Sequence, residues 1–332
     1  MKKQDIVNTI LSHKKHFAIS ATPVTAFAPT NIALCKYWGK RNIELNLPVT
    51  SSLSVSLGKK GASTTLSVIE SEKDKAILHQ QLVDETSDFY KRLLSFLDLF
   101  RTDSSMRFQI DIESTIPIAA GLASSACGFA ALVLALNQLF QWKLHAHELS
   151  ILARLGSGSA CRSIWPGFVE WEKGERADGM DSVGKIIPDV WPELCIGLLM
   201  VDSTVKKISS REAMQRTVAT SRLYDAWPAQ VEEDLPCLKQ AIRDQDFLRL
   251  GKIAESNALA MHGLMLSAWP PVNYCLPETL TAMQTIWTHR EAGLPLYFTQ
   301  DAGPNLKLLF LEKNRAIVQS IFPTMDVVQP FL

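Results

Sequence analysis

The chain predicts an α+β fold in two lobes. Strand-like alternation crowds the first half, helical periodicity dominates from Arg211 onward, and prolines at 188 and 192 bracket a break between the two regimes. At 332 residues the chain is long enough for two domains of ordinary size. The expected lobes are 1–190 and 191–332, with residues 1–22 as an extension on the first.

The elements follow in order. MKKQDIVNTILSHKKHF lacks the unbroken apolar stretch of a signal peptide. It reads as a short amphipathic helix with Ile6, Ile10 and Leu11 on one side. Residues 24–35 and 49–57 read as strands, the second because SSLSVSL alternates with period two. Gly58-Lys59-Lys60-Gly61 reads as a hairpin turn into the strand ASTTLSVIE. A helix over 84–99 precedes the strand MRFQIDIES, and helices are expected from about Ser124 to Phe140 and from His147 to Leu155. GFVEWEKG and CIGLLMVD are strands. Helices are then predicted at 211–225, 238–244, 248–266 and 277–291. PLYFTQDAG gives a strand and a turn, followed by a helix from about Asn305.

Composition narrows the function. Lys+Arg and Asp+Glu are equal at 34 each, so no net charge points to nucleic acid or to an anionic membrane. The uncharged run from Ser114 to Trp142 is strongly apolar only over Phe129 to Leu136, too short to span a bilayer. The six cysteines, at 35, 127, 161, 195, 237 and 275, form no CxxC pair and have no histidine at ligand spacing. They read as free thiols in a reducing cytoplasm. There is no GxxxxGK[ST], no GxSxG and no DFG, and the GxG at Gly156 breaks off at Cys161. Walker-type, α/β-hydrolase, protein-kinase and dinucleotide fingerprints are therefore absent.

Five stretches carry chemistry. IPIAAGLASSACGFAAL is bare and small-sided before an apolar helix. Gly121, Leu122, Ala123, Ser124, Ser125 and Ala126 let an anion approach the main chain at a helix N-terminus, and a serine hydroxyl suits phosphate or Mg²⁺. The same stretch also fits a small-residue helix packed closely on a sheet. APTNIALCKYWGKRN groups Lys36, Lys40 and Arg41 around Tyr37 and Trp38, which is an anion pocket or a solvated strand end. ARLGSGSACRSIWPGFVEW sets Arg162 beside small residues, where it can grip a carboxylate or phosphate or simply sit in a surface turn. KKISSREAMQRT offers Ser209, Ser210 and Arg211 at a helix start. FTQDAGPN puts Asp301 at a strand end before a tight turn, as a reactive carboxylate or an Asx cap.

Together with LPVTSSLSVSL and SNALAMHGLMLSAWPPVNY, these motifs occur in one order, and the chain resembles the diphosphomevalonate decarboxylase family of the GHMP kinase superfamily from Ala28 to about Asn305. AAGLASSA alone indicates only the superfamily; KYWGKR, GSGSACRS and DAGPN together are more specific. The resemblance implies an N-terminal α/β lobe and a C-terminal ferredoxin-like lobe with the active site in the cleft between them. It implies that ATP, with Mg²⁺, phosphorylates the 3-hydroxyl of mevalonate 5-diphosphate, after which phosphate and CO₂ leave and isopentenyl diphosphate remains. It implies catalytic roles for Asp301, Lys36, Arg162 and Ser210, with Arg162 on the substrate carboxylate. Tyr37, Lys40, Ser157, Ser159 and Arg211 would bind substrate, residues 121–126 the ATP phosphates, and Ser125 the metal. A homodimer is the family's habit, and the free thiols point to the cytoplasm. A monophosphate substrate, a 3-kinase that does not decarboxylate, and a non-catalytic anion-binding protein are the competing readings. Pro166, Ser267 and Leu306 depart from the family pattern.

Overall fold

The computed structural model describes residues 1–12, 19–116, 124–202, 204 and 207–332. The first lobe comprises α1 (Lys3–Leu11), β1 (Val24–Cys35), β2 (Lys40–Asn42), β3 (Leu47–Pro48), β4 (Ser52–Ile69), β5 (Lys75–Leu78), β6 (Gln81–Leu82), α2 (Asp88–Leu97), β7 (Arg107–Ser114), α3 (Ser124–Leu139), α4 (Ala146–Gly156), β8 (Phe168–Trp171) and β9 (Gly184–Ile187). The second comprises β10 (Leu194–Leu199), α5 (Ser210–Thr220), α6 (Trp227–Arg243), α7 (Phe247–Leu266), α8 (Pro277–Glu291), β11 (Tyr297–Gln300), β12 (Leu306–Leu311), α9 (Arg315–Ile321) and β13 (Asp326–Val328).

β4 organises the first lobe. It pairs antiparallel with β1 along one edge, and with β8 and then β7 along the other. The expected hairpin at Gly58–Gly61 is not formed. Partners run Pro29↔Gly61 and then Asn31↔Ser56, so the segment between bulges out of one continuous strand. Both flanking segments bind β1 rather than each other, and Gly58 takes a left-handed φ of 56° to let the chain swell there.

α3 is buried against β1 and β4. Ala126, Cys127, Ala130, Ala131, Val133 and Ala135 are fully buried, and small side chains let the helix approach the sheet closely. α1 is no loose extension: Ile6, Val7, Ile10 and Leu11 join the core of this lobe.

The second sheet has the order β11-β12-β10-β13, with all pairs antiparallel. With helices after β10 and after β12, this is the β-α-β-β-α-β arrangement of a ferredoxin-like lobe. The helix expected from Asn305 is instead β12. Its run LKLLFL is buried on both faces, and the period-two signal disappears when neither face is wet. α6 starts earlier than expected, at Trp227. Pro228 falls in its first turn, where a missing N–H is harmless, and Pro236 lies inside the helix. A third apolar cluster joins the lobes: Ile32 and Leu34 of β1 share it with Leu198 of β10, Met214 of α5 and Met261 of α7.

Candidate active site

Where β1 ends, the chain meets the second lobe. Lys36 N–H donates to Asn257 Oδ1 of α7 at 2.8 Å, and Thr299 Oγ1 of β11 donates to the Ala33 carbonyl at 3.2 Å. Tyr224 Oη donates to the Trp38 carbonyl at 3.0 Å. These ties fix Ala33, Lys36 and Trp38 in the floor of a cleft of about 490 Å³ between the lobes.

Asp301 follows β11 directly and reaches this floor. Lys36 Nζ donates to Asp301 Oδ1 at 2.8 Å and to the Ala33 carbonyl at 2.8 Å. Lys307 Nζ lies 3.3 Å from Asp301 Oδ2. Burial opposes a charged carboxylate, yet the two ammonium groups hold Asp301 well below the usual carboxylate range. Burial likewise pulls the Lys36 ammonium below its ordinary value, with Asp301 opposing. His262 of α7 is buried, with Nε2 3.1 Å from the Asp301 carbonyl oxygen. Desolvation lowers its pKa to about 4, so near neutral pH its ring is uncharged, and Nε2–H donates to that carbonyl in the matching tautomer.

Arg162 is 3% exposed, in the short 3₁₀ segment Gly158–Arg162. Its Nε and Nη2 donate to Asn31 Oδ1 at 3.3 and 3.2 Å, and Nη1 donates to Ser52 Oγ. Among the described residues no carboxylate pairs with it directly. A buried guanidinium held only by neutral oxygens is poised for an anion, because an unpaired buried charge is costly. Tyr37 packs on Trp171 at 4.7 Å, and its buried hydroxyl has no hydrogen-bond partner among the described residues. Burial keeps that phenol protonated and therefore a donor. The chain passes close by at Gly158, where an added Cβ would come within 2.9 Å of the Tyr37 hydroxyl.

Every expected catalytic and substrate-binding residue lines this cleft: Asp301, Lys36, Arg162 and Ser210, and Tyr37, Lys40, Ser157, Ser159 and Arg211. Ser125 lines it too, its Oγ 3.3 Å from Ser157 Oγ. Ala126 buries its methyl and can offer only backbone. Gly121, Leu122 and Ala123 lie outside the described residues, as does the side chain of Ser124. Arg41 turns away, donating to the carbonyls of Lys173, Gly174 and Arg176.

Sequence reading missed Lys307, His262, Asn31 and Ser52, and the α2 residues Asp88, Lys91 and Arg92, which also line the cleft. Of these, only Lys307 left a local signal, a lone lysine in an apolar run. Among the described lining residues, the cations Lys36, Lys40, Lys91, Arg92, Arg162 and Arg211 face only Asp88 and Asp301. Such a cleft takes a polyanion.

A family model for the diphosphomevalonate decarboxylase-like N-terminal domain matches residues 28–184, and one for the mevalonate 5-diphosphate decarboxylase C-terminal domain matches residues 196–330. The chain belongs to the diphosphomevalonate decarboxylase family. It is 39% identical over 318 residues to diphosphomevalonate decarboxylase mvd1 of Aspergillus fumigatus, covering 89% of this chain and 78% of that protein. Mevalonate diphosphate decarboxylase from Staphylococcus aureus superposes with a TM-score of 0.86 at 37% identity, covering 92% of this chain and 95% of that one. MDDEF, solved in complex with MVAPP, AMPPCP and magnesium, superposes with a TM-score of 0.85 at 40% identity, covering 93% and 97%.

Against this decarboxylase family the three departures are mild. Pro166 is exposed and leaves the Arg162 contacts intact. Ser267 caps α7, donating to the Leu264 carbonyl and pairing with Ser221 Oγ at 2.6 Å. Leu306 is core of the second lobe. The family match begins at residue 28, so α1 lies outside it although it is built into the first lobe.

Proposed function

We propose that this chain carries out the ATP-dependent decarboxylation of mevalonate 5-diphosphate to isopentenyl diphosphate, in the mevalonate route to isoprenoids. The observation that carries the reading is one cleft holding both the buried Lys36–Asp301 pair and the buried Arg162. A tertiary hydroxyl is a poor nucleophile, and an ionised carboxylate against it can orient it and accept its proton late in transfer. The γ-phosphoryl group passes to the 3-oxygen through a loose transition state, where positioning and charge dominate. The C3–O bond then breaks with phosphate leaving. The C1–C2 electrons move in to form the C2–C3 double bond as CO₂ departs. Arg162 fixes the carboxylate that is lost, while Tyr37, Lys40, Ser157, Ser159 and Arg211 hold the diphosphate. Ser210 would sit near the reacting phosphate.

The nucleotide phosphates belong at the start of α3. Ser125 presents its hydroxyl to the cleft there, beside the free N–H groups of the first turn, including that of Ala126. Residues 121–124 would bind the same phosphates. Among the described residues no group of three or more His, Cys, Asp or Glu side chains is built to hold a metal. Mg²⁺ therefore fits as an ion carried by the phosphates with Ser125 as a protein ligand, and when bound it neutralises phosphate charge. The MDDEF complex with MVAPP, AMPPCP and magnesium supports ATP and Mg²⁺ as the pair that binds here.

The reading brings with it lobes at 1–190 and 191–332 and a cytoplasmic homodimer with neither a nucleic-acid nor a membrane partner. No helix among the described residues is long and apolar enough to cross a membrane. The test is kcat/KM with ATP and, in turn, mevalonate, its 5-phosphate and its 5-diphosphate. The 5-diphosphate is expected to lead. A lead for the 5-phosphate would reassign the substrate, and no turnover with any of the three would leave an anion-binding protein.

A further inference from the structure

β12 is an interior strand of its sheet, between β11 and β10. Alternation sends Leu306, Leu308 and Phe310 into the core of the second lobe, and Leu309 and Leu311 toward the cluster that joins the lobes. Lys307 falls on this second side with 0% exposure. A buried ammonium is costly unless it is paired. Its Nζ donates to the Asn305 carbonyl at 3.3 Å and stands 3.3 Å from Asp301 Oδ2. The two oxygens of Asp301 thus have different surroundings. Oδ2 is shut off from solvent and ion-paired with Lys307 rather than hydrogen-bonded, and Oδ1 accepts from Lys36 at 2.8 Å. The side chain still keeps 21% of its surface, which lies on atoms other than Oδ2.

We propose that Lys307 is a positioning residue for phosphoryl transfer, a second clamp that pins Oδ2 inward so that Oδ1, shared with Lys36, is the oxygen presented to the reacting hydroxyl. The proposal rests on the reading of Asp301 as the reacting carboxylate. With Lys36 alone, the carboxylate can turn about Cβ–Cγ and exchange its oxygens. With Lys307 held by a central strand opposite, rotation would break an ion pair. The other charged or titratable groups around Asp301 are Arg162 from the 3₁₀ segment and His262 from α7, which stays neutral. Lys36 and Lys307 are therefore the two cations that keep the carboxylate ionised.

Lys307→Met keeps the length and the apolar stem and removes the charge. Removing one partner of a buried pair is destabilising, so Tm should fall, and kcat is read per folded molecule at a temperature where the variant stays folded. The expected result is a fall in kcat of about tenfold or more with KM within about threefold. Lys307→Gln asks the same question with a polar side chain should methionine not be accommodated. A kcat per folded molecule near wild type in both variants, or a loss that appears in KM rather than in kcat, would overturn the proposal. Asp301→Asn is measured in parallel. If it turns over ATP like wild type, the reading of Asp301 itself fails. If it is inactive while Lys307→Met is wild type, only the role of Lys307 fails.

Discussion

Lys36 and Asp301, 265 positions apart in sequence, meet through a 2.8 Å charge-assisted hydrogen bond that crosses the two lobes. The pair exists only when β1 of the first lobe docks against β11 and α7 of the second. The geometry of the cleft and the interlobe packing are therefore one structure, and removing one partner leaves the other a buried unpaired charge.

Asp301→Asn keeps the shape of the side chain and removes its charge and basicity. We expect kcat to fall by about 10²–10⁴-fold. KM for the acid should change little, because Arg162 and the residues on the diphosphate remain. Steady-state ADP formation and CO₂ release should fall together; a variant that accumulates the 3-phosphate would move the role of Asp301 to the later step.

Arg162→Gln removes a charged grip while leaving Asn31 and Ser52 available to bond the amide. The loss of a desolvated charge pair is on the order of 2–4 kcal/mol. That is at least about 30-fold in kcat/KM for the acid. Binding of an ATP analogue, read by calorimetry, should stay near wild type.

Lys40 gives a pH signature. Burial first, then the nearby Arg211, Lys3 and Arg92, lowers its pKa to about 8, and its Nζ donates to Asn46 Oδ1 at 2.7 Å. A bound anion favours the charged form, so affinity is full below pH 8 and is lost as pH rises through that value. KM for the acid should rise about three- to tenfold between about pH 7 and 9. Lys40→Arg, which stays charged, should flatten the rise; an unchanged rise would place the titrating group elsewhere.

α1 supplies a test of stability. Ile6 is 1% exposed and packs with the first-lobe core. Ile6→Ala should cost about 2–4 kcal/mol in denaturant unfolding. A loss under about 0.5 kcal/mol, the size typical of surface changes, would show that the helix is not part of the cooperative core.

Much of this arrangement was legible because its signals are local. β1, α3 and α7 carry clear periodicities, and the residues of the cleft sit in short polar or glycine-rich motifs at element ends. What was illegible depends on distant partners. β12 reads as a helix because both its faces are buried. Gly58 to Gly61 reads as a hairpin because the register is set by β1, not by the turn. The Asn31 and Ser52 contacts to Arg162 span 131 and 110 positions, and no spacing rule reports them. Lys307 meets Asp301 only across the turn between β11 and β12.

The central claim is that one cleft couples phosphoryl transfer to loss of CO₂. The most direct test is simultaneous quantitation of ADP and CO₂ from mevalonate 5-diphosphate and ATP in a single assay. The account predicts equal amounts of each throughout the time course, with no 3-phosphate accumulating. ADP formed without CO₂ would contradict it and make the chain a 3-kinase.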